Sequence, residues 1–224
     1  TAFQTIPNAT TDRSIPQAIS VDAQGDIVVA GYFSGETDFG GTSINVSNTE
    51  IFVAKLDGVN GALKWVKSGG GIGSQVVTDV VTDLNGDFHI SCLTQDNVLF
   101  GTTSYTVSGT QDSFVLKLTN AGLVAGITGY GIPSQVVSMT QLGVDSTGNL
   151  YMGGTFGGTL AKAGWSITAN KGGSDVFFIK DASGTSSSDW AIVGGTNADD
   201  VLEGMEFTSK DDLIFTGYLQ GTFT

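Results

Sequence analysis

A chain of 224 residues with 40% apolar content can bury a substantial core and has room for one or two domains. No apolar run approaches the roughly 18 residues of a membrane span, and 33 glycines with three prolines and no Gly-x-y period exclude collagen. Nine basic residues against 22 acidic ones give a formal charge of −13, which repels a phosphate backbone and suits a well-solvated or extracellular surface.

Aromatic and β-branched residues outweigh long helix formers, and no 3.6-residue apolar period is long enough for a helix, so the elements are strands. In chain order, "AFQTI" at 2–6 reads as a first strand. Four short extended segments follow at 18–21, 27–33, 51–56 and 63–67. Turn signals separate them: "AQGD", a long loop "SGETDFGGTSINVSNTE", "DGVNGA", and then "SGGGIGS". Along 27–33 one face carries Ile27, Val29, Gly31 and Phe33, and the other carries Val28, Ala30 and Tyr32. A strand apolar on both faces is covered on both sides.

The stretch "VDAQGDIVVAGYFSG" at 21–35 recurs downstream. It returns as "TDLNGDFHISCLTQ" at 82–95, "VDSTGNLYMGGTFGG" at 144–158 and, more distantly, "FTSKDDLIFTGYLQG" at 207–221. The marker positions Asp22, Asp83, Asp145 and Thr208 are 61, 62 and 63 residues apart. A second block keeps register with the first: "EIFVAKLD" at 50–57, "DSFVLKLT" at 112–119 and "DVFFIKDA" at 175–182. It aligns Glu50 with Asp112 and Asp175, Phe52 with Phe114 and Phe177, and Lys55 with Lys117 and Lys180. "FGGTSI" at 39–44 matches "FGTTSY" at 100–105 and, weakly, "KAGWSI" at 162–167, while Trp65 and Trp190 each lie 18 residues before the next marker. An internal period over essentially the whole chain decides the fold before any single motif does.

The pattern "VDxxGNxYxxGxFxG…FGG…DxFVxKLxxxGxxxWxxxxGG", carried by 21–70 in the first copy, resembles the SBBP-type β-propeller repeat of secreted and surface proteins. The second copy departs from it at Cys92 and Thr94, the third puts Lys162 in place of the Phe of "FGG", and the fourth has Thr208 for the marker Asp. The resemblance implies an all-β propeller of four-stranded antiparallel blades, and it supplies no common catalytic motif. The chain then divides into an outer strand of a preceding or closing blade (1–17), three blades (18–78, 79–140 and 141–203) and the inner strands of a further blade (204–224). This organisation is expected of part of a larger ring or array; closure of a four-bladed ring by the N-terminal strand is the other arrangement. Gly31, Gly154 and Gly217 recur where neighbouring sheets are expected to approach closely.

Candidate chemistry is thin. The Asp-x-x-Gly-Asp/Asn loops at Asp22–Asp26, Asp83–Asp87 and 145–149 could offer carboxylates to Ca²⁺, yet Asx/Gly pairs are what a tight hairpin demands, and the turn is the expected reading. His89, the sole histidine, reads as a packed strand residue rather than a general base. Cys92, the sole cysteine, reads as a small buried apolar residue, and clustered zinc ligands are absent from the sequence. The acidic run with Asp199, Asp200, Glu203 and Glu206 is expected to be an exposed charged corner. Arg13 is the only arginine, so a sialidase-type clamp cannot be built. "SGGGIGS" lacks the Lys-Ser/Thr of a phosphate loop, and the sequons at Asn8 and Asn45 are as frequent as chance gives.

No catalytic, cofactor or metal residues are therefore assigned. The expected function is a non-enzymatic extracellular or cell-surface scaffold or interaction module, of the kind that serves as a subunit of a surface assembly or filament. Its partners would be proteins or further copies, with glycan as a further possibility, and neither nucleic acid nor membrane insertion. Its working surface would be the long loops and the Gly-rich inter-blade loops on one rim. The alternative is part of a propeller lyase or glycan hydrolase whose catalytic residues lie outside this stretch.

Overall fold

The computed structural model describes residues 4–5, 13–162, 164–169, 172–181 and 189–220. Regular structure among them is entirely β. The first sheet is an antiparallel meander of β2 (Arg13–Val21), β3 (Ile27–Asp38), β4 (Ser43–Leu56) and β5 (Leu63–Gly70). The second holds β6 (Gln75–Thr82), β7 (Phe88–Thr94), β10 (Asp112–Leu118) and β11 (Val124–Tyr130); the third holds β12 (Val137–Val144), β13 (Leu150–Phe156), β16 (Asp175–Asp181) and β17 (Trp190–Gly194). A fourth sheet consists of β18 (Val201–Phe207) and β19 (Leu213–Tyr218). The strands named for each sheet come from one stretch of the internal period, while the first sheet also takes in a hairpin from the second stretch, through Gly70 opposite Leu99.

The turn between the first two strands shows how the repeat is written into the backbone. Asp22 Oδ1 accepts the N–H groups of Gln24 and Asp26, each at 2.9 Å, and Gly25 supplies the positive φ of 82°. Asp83 and Asp145 do the same for the next two turns, with Gly86 and Gly148 in the left-handed region. In the fourth copy the Thr208 hydroxyl takes over, accepting the N–H groups of Lys210 and Asp212. Asp211 occupies the glycine position at φ 62°, a conformation a short polar side chain tolerates. The hydroxyl explains how the turn survives loss of the marker Asp.

Every first strand carries a bulge at one register: Pro16/Ala18, Val77/Asp79, Met139/Gln141 and Leu202/Gly204. The recurrent glycines pair with that bulge. A Cβ on Gly31 would sit 2.2 Å from the Ile15 carbonyl oxygen, on Gly154 2.1 Å from that of Ser138, and on Gly217 2.1 Å from that of Val201. The close approach is thus to the bulged strand of the same sheet, rather than chiefly between neighbouring sheets. Gly154→Ala should cost about 1–3 kcal/mol as an overpacked contact against fixed backbone. A urea midpoint unchanged from the parent would refute that account.

Successive sheets stack through their apolar faces. Val28, Ala30, Ile51 and Val53 of the first meet Phe88, Ile90, Cys92 and Phe114 of the second. Val115 and Tyr130 meet Met152, Phe156 and Phe177, and Val176 and Phe178 of the third meet Leu202 and Met205 of the fourth. First strands lie beside first strands: β2 by β6, β6 by β12, and β12 by β18. Hydrogen bonds one repeat apart join them. Ser20 Oγ lies 2.8 Å from Thr82 Oγ1, Thr78 Oγ1 donates to the Met139 carbonyl, and the Leu142 N–H donates to Asp79 Oδ2.

Three expectations are corrected here. The long loop after 27–33 is a β-hairpin: β3 and β4 continue past a register shift at Phe33/Gly35 and turn only at 39–42. In the second unit the same stretch is the hairpin β8 (Val98–Phe100) with β9 (Thr103–Tyr105), which joins the edge of the first sheet, and in the third it is a separate hairpin, β14 (Thr159–Lys162) with β15 (Trp165–Thr168). Phe39, Phe100 and Leu160 on these hairpins are buried and cap the sheet cores, which is why the stretch folds back instead of hanging free. The first strand begins at Arg13 rather than at 18, because the bulge lets it follow β3 further. Of the strand expected at 2–6, Gln4–Thr5 (β1) is described; it pairs with Thr37 and Asp38 at the far end of β3, not with the fourth sheet. The extended hairpin provides that edge.

Candidate functional site

The carboxylates of the repeat turns have protein partners. Asp22 Oδ2 lies 2.8 Å from Lys55 Nζ, the lysine of the "FVAKL" block, and Asp26 Oδ2 lies 3.3 Å from it. Lys64 holds Asp26 from outside, and Asn120 of the second unit accepts from Lys55 Nζ at 2.9 Å. Burial alone pushes the Asp22 carboxyl up, but Lys55 and two backbone N–H groups outweigh it and keep it below the usual carboxylate range. In the second unit His89 Nε2 and Lys117 Nζ meet Asp83 Oδ2 at 3.0 and 3.2 Å. In the third, Asn149 and the Tyr151 hydroxyl donate to Asp145 Oδ2. In the first two units the repeating Lys and Asp are therefore one structural device, which the sequence alignment displayed without revealing that the two blocks touch; in the third, Lys180 lies over the Tyr151 ring instead. Among the described residues there is no group of three or more His, Cys, Asp or Glu disposed to hold a metal.

His89 lies on a cleft of about 420 Å³ between the second and third sheets, whose lining includes Asp83, Lys117, Thr128, Tyr130, Thr147 and Asp181. Burial lowers the imidazole pKa, with Asp83 pulling the other way, so the ring is neutral at pH 7. Burial and Asp189 push the Asp181 carboxyl up. In an adjoining cavity that shares Tyr130 and Asp181, Lys162 Nζ stands 3.7 Å from the Tyr130 ring centroid, so the residue replacing the Phe of "FGG" makes a cation–π contact. His89 is thus the packed strand residue expected, but its ring has a carboxylate partner that its strand position did not announce. Being the lone histidine, its ring resonance should titrate below 6.5. The unfolded chain then takes up the proton first as pH falls, and this group withdraws stability below about 6.5. An NMR midpoint above 6.5 would show Asp83 winning over burial.

The two loop sets expected to share a rim do meet. A shallow concavity of about 850 Å³ is lined by Arg13, Ser34, Gly35 and 46–49 from the first hairpin and by 72–74 from the Gly-rich loop. Ile72 projects from it 87% exposed. Asn45 is exposed on the same hairpin, whereas Asn8 lies outside the described residues. The acidic run is only partly a charged corner. Asp199, Glu203 and Glu206 are exposed, but Asp200 is 1% exposed and accepts the Thr196 N–H at 2.6 Å and the Gln220 N–H at 3.2 Å. Its equivalent Gln75 accepts the Gly71 N–H, so this position holds the inter-sheet loop. Cys92 is buried, and burial pushes its thiol pKa up.

The fourth sheet leaves apolar side chains open. Phe215 and Leu219 are 57% and 51% exposed, although their equivalents Val29 and Phe33, Ile90 and Thr94, and Met152 and Phe156 are buried. An apolar groove of about 510 Å³ runs beside them, lined by Val176, Phe178, Leu202, Phe215, Gly217 and Leu219 among others.

No family model matches the chain, and no curated protein matches it. Among solved structures, a protein of unknown function from Bacteroides caccae is similar over 92% of this chain and 72% of its own, at 11% identity and a TM-score of 0.41. A likeness at that level assigns neither fold family nor activity.

Proposed function

We propose that the chain is part of an SBBP-type β-propeller that serves outside the cell or on its surface as a non-enzymatic scaffold and interaction module. The observation that carries the interaction role is the rim concavity between the first hairpin and the Gly-rich loop, from which Ile72 projects 87% exposed. Loops positioned by a rigid β scaffold are where binding residues gather. The side-by-side first strands, joined by hydrogen bonds one repeat apart, support the propeller reading: radial repetition of four-stranded blades places inner strands next to inner strands. The acidic surface and the sequence resemblance support the location. Within the chain, the repeat-turn Asp22 and the loop Asp200 are engaged in holding turns and loops.

The test is labelling of intact source cells with a membrane-impermeant amine reagent, followed by mass spectrometry of the exposed Lys210 peptide. Labelling without lysis is the expected result. Labelling only after lysis sinks the surface location.

A further inference from the structure

We infer that the cleft between the second and third sheets binds one sugar ring, held between His89 of the second sheet and the Lys162–Asp181 side of the third unit. The site shares no residue with the rim concavity, and the inference stands apart from the scaffold reading. The preceding interface shows why this one is hollow. Between the first and second sheets the corresponding space is filled: Phe100 and Leu118 are buried, and the partly buried Trp65 packs on Phe88 at 5.9 Å. One repeat later, strand register puts Gly126 where Trp65 stands, each opposite the lysine of its block (Lys117 and Lys55). Lys162 takes the place of Phe100 at the hairpin end, and Asp181 takes that of Leu118. A Cβ on Gly126 would meet nothing within 4 Å. Changes at three positions thus empty one space and line it with charge.

Exchanging Phe for Lys and Leu for Asp gives up apolar burial at both positions, and the charges gain little in return. Burial lowers the Lys162 pKa, and burial with Asp189 raises that of Asp181. Among the described residues Lys162 does not pair with Asp181 but stacks on the Tyr130 ring. Positions that break the packing rule their neighbours obey are where binding is built. The lining selects the ligand. Two adjoining cavities of about 420 and 240 Å³ share Tyr130 and Asp181. Lys162 and Trp165 are cross-strand partners, which puts both side chains on one face of their hairpin, and both line the smaller cavity. The ammonium only donates hydrogen bonds and the carboxylate only accepts them, while neutral His89, with Nε2–H donated to Asp83, keeps Nδ1 as an acceptor. Neighbouring hydroxyls of a sugar, each both donor and acceptor, match that mixture, and the Tyr130 and Trp165 rings suit its C–H face. A ligand of a single charge would leave either Lys162 or Asp181 unanswered.

Glucose, galactose and N-acetylglucosamine, each titrated into the 224-residue chain, are read by saturation-transfer NMR and by the imidazole protons of His89, the lone histidine. At least one should bind saturably with a Kd on the order of 1 mM, and the His89 signals should move with the same midpoint. Gly126→Trp, which supplies the ring that Trp65 provides one repeat earlier, should weaken binding at least about tenfold with the circular dichroism spectrum unchanged. The double change Lys162→Phe with Asp181→Leu should abolish saturation transfer while raising the melting midpoint, so that loss of binding cannot come from misfolding. Equal or tighter binding of a disaccharide ending in the same unit assigns a glycan end as the ligand, and binding confined to the free hexose assigns a free sugar; both uphold the site. No saturable shift at His89 with any of the three sugars overturns the inference, as does sugar binding unchanged in both variants. A shift with butylamine and with none of the sugars overturns it in favour of an organic cation.

Discussion

Replacing Lys55 by Met should lower the unfolding free energy at pH 7 by about 3–5 kcal/mol, the cost of leaving a buried charge without its partner. Lys55 is 4% exposed and Asp22 is 5% exposed, so water cannot replace the lost ammonium. Met keeps most of the stem's volume, which isolates charge from packing. The pH dependence carries a sign that a packing defect would not share. In the parent, Asp22 is held below its ordinary value, so it adds stability above about pH 4 that is lost as pH falls through the folded value. Without Lys55 that carboxyl loses the largest influence holding its pKa down, so its pKa rises and its ionisation favours folding less than in the parent. The deficit of the variant should therefore shrink between pH 7 and pH 4. Urea midpoints that stay parallel across that range would show that the charge is not the cause. Lys210→Met, at an exposed turn position, should stay within about 0.5 kcal/mol.

The same cluster marks how far the sequence could be read. Asp22, Gly25 and their equivalents announce a turn because turn chemistry is local, and the structure builds four such turns. The pairing of Asp22 with Lys55, 33 residues on, is set by strand register, which one sequence does not print. The bulge opposite Gly31 is hidden for the same reason, since an extra residue exists only relative to a partner strand. The hairpin at 35–46 was more accessible. Ile44 and Val46 alternate with Ser43, Asn45 and Ser47, a half-buried strand pattern masked by the polar composition around it. Asp200 was legible only as a position shared with Gln75; that the shared property is a side-chain oxygen holding an N–H needs the loop itself.

Phe114→Ala should be the most costly single core truncation of the third-strand block, at about 3–5 kcal/mol, with a melting midpoint lower by roughly 10 °C. The ring is fully buried, lies opposite Cys92, and stands 6.1 Å from the Tyr105 ring of the capping hairpin. Its loss opens a cavity in the core between the first and second sheets and removes support from β8–β9. Phe215→Ala removes a ring of the same size from β19, which among the described residues pairs with β18 alone, and should cost under about 1 kcal/mol because the side chain is already 57% exposed. Since each unit contacts only its neighbours, the damage should also be local. Hydrogen exchange in the Phe114 variant should accelerate across β6, β7, β10 and β11 before it rises in β12, β13 and β16. Uniform acceleration through all four sheets would mean that they unfold as one unit, with inter-sheet hydrogen bonds such as Thr78 to Met139 coupling them more tightly than their separate cores suggest.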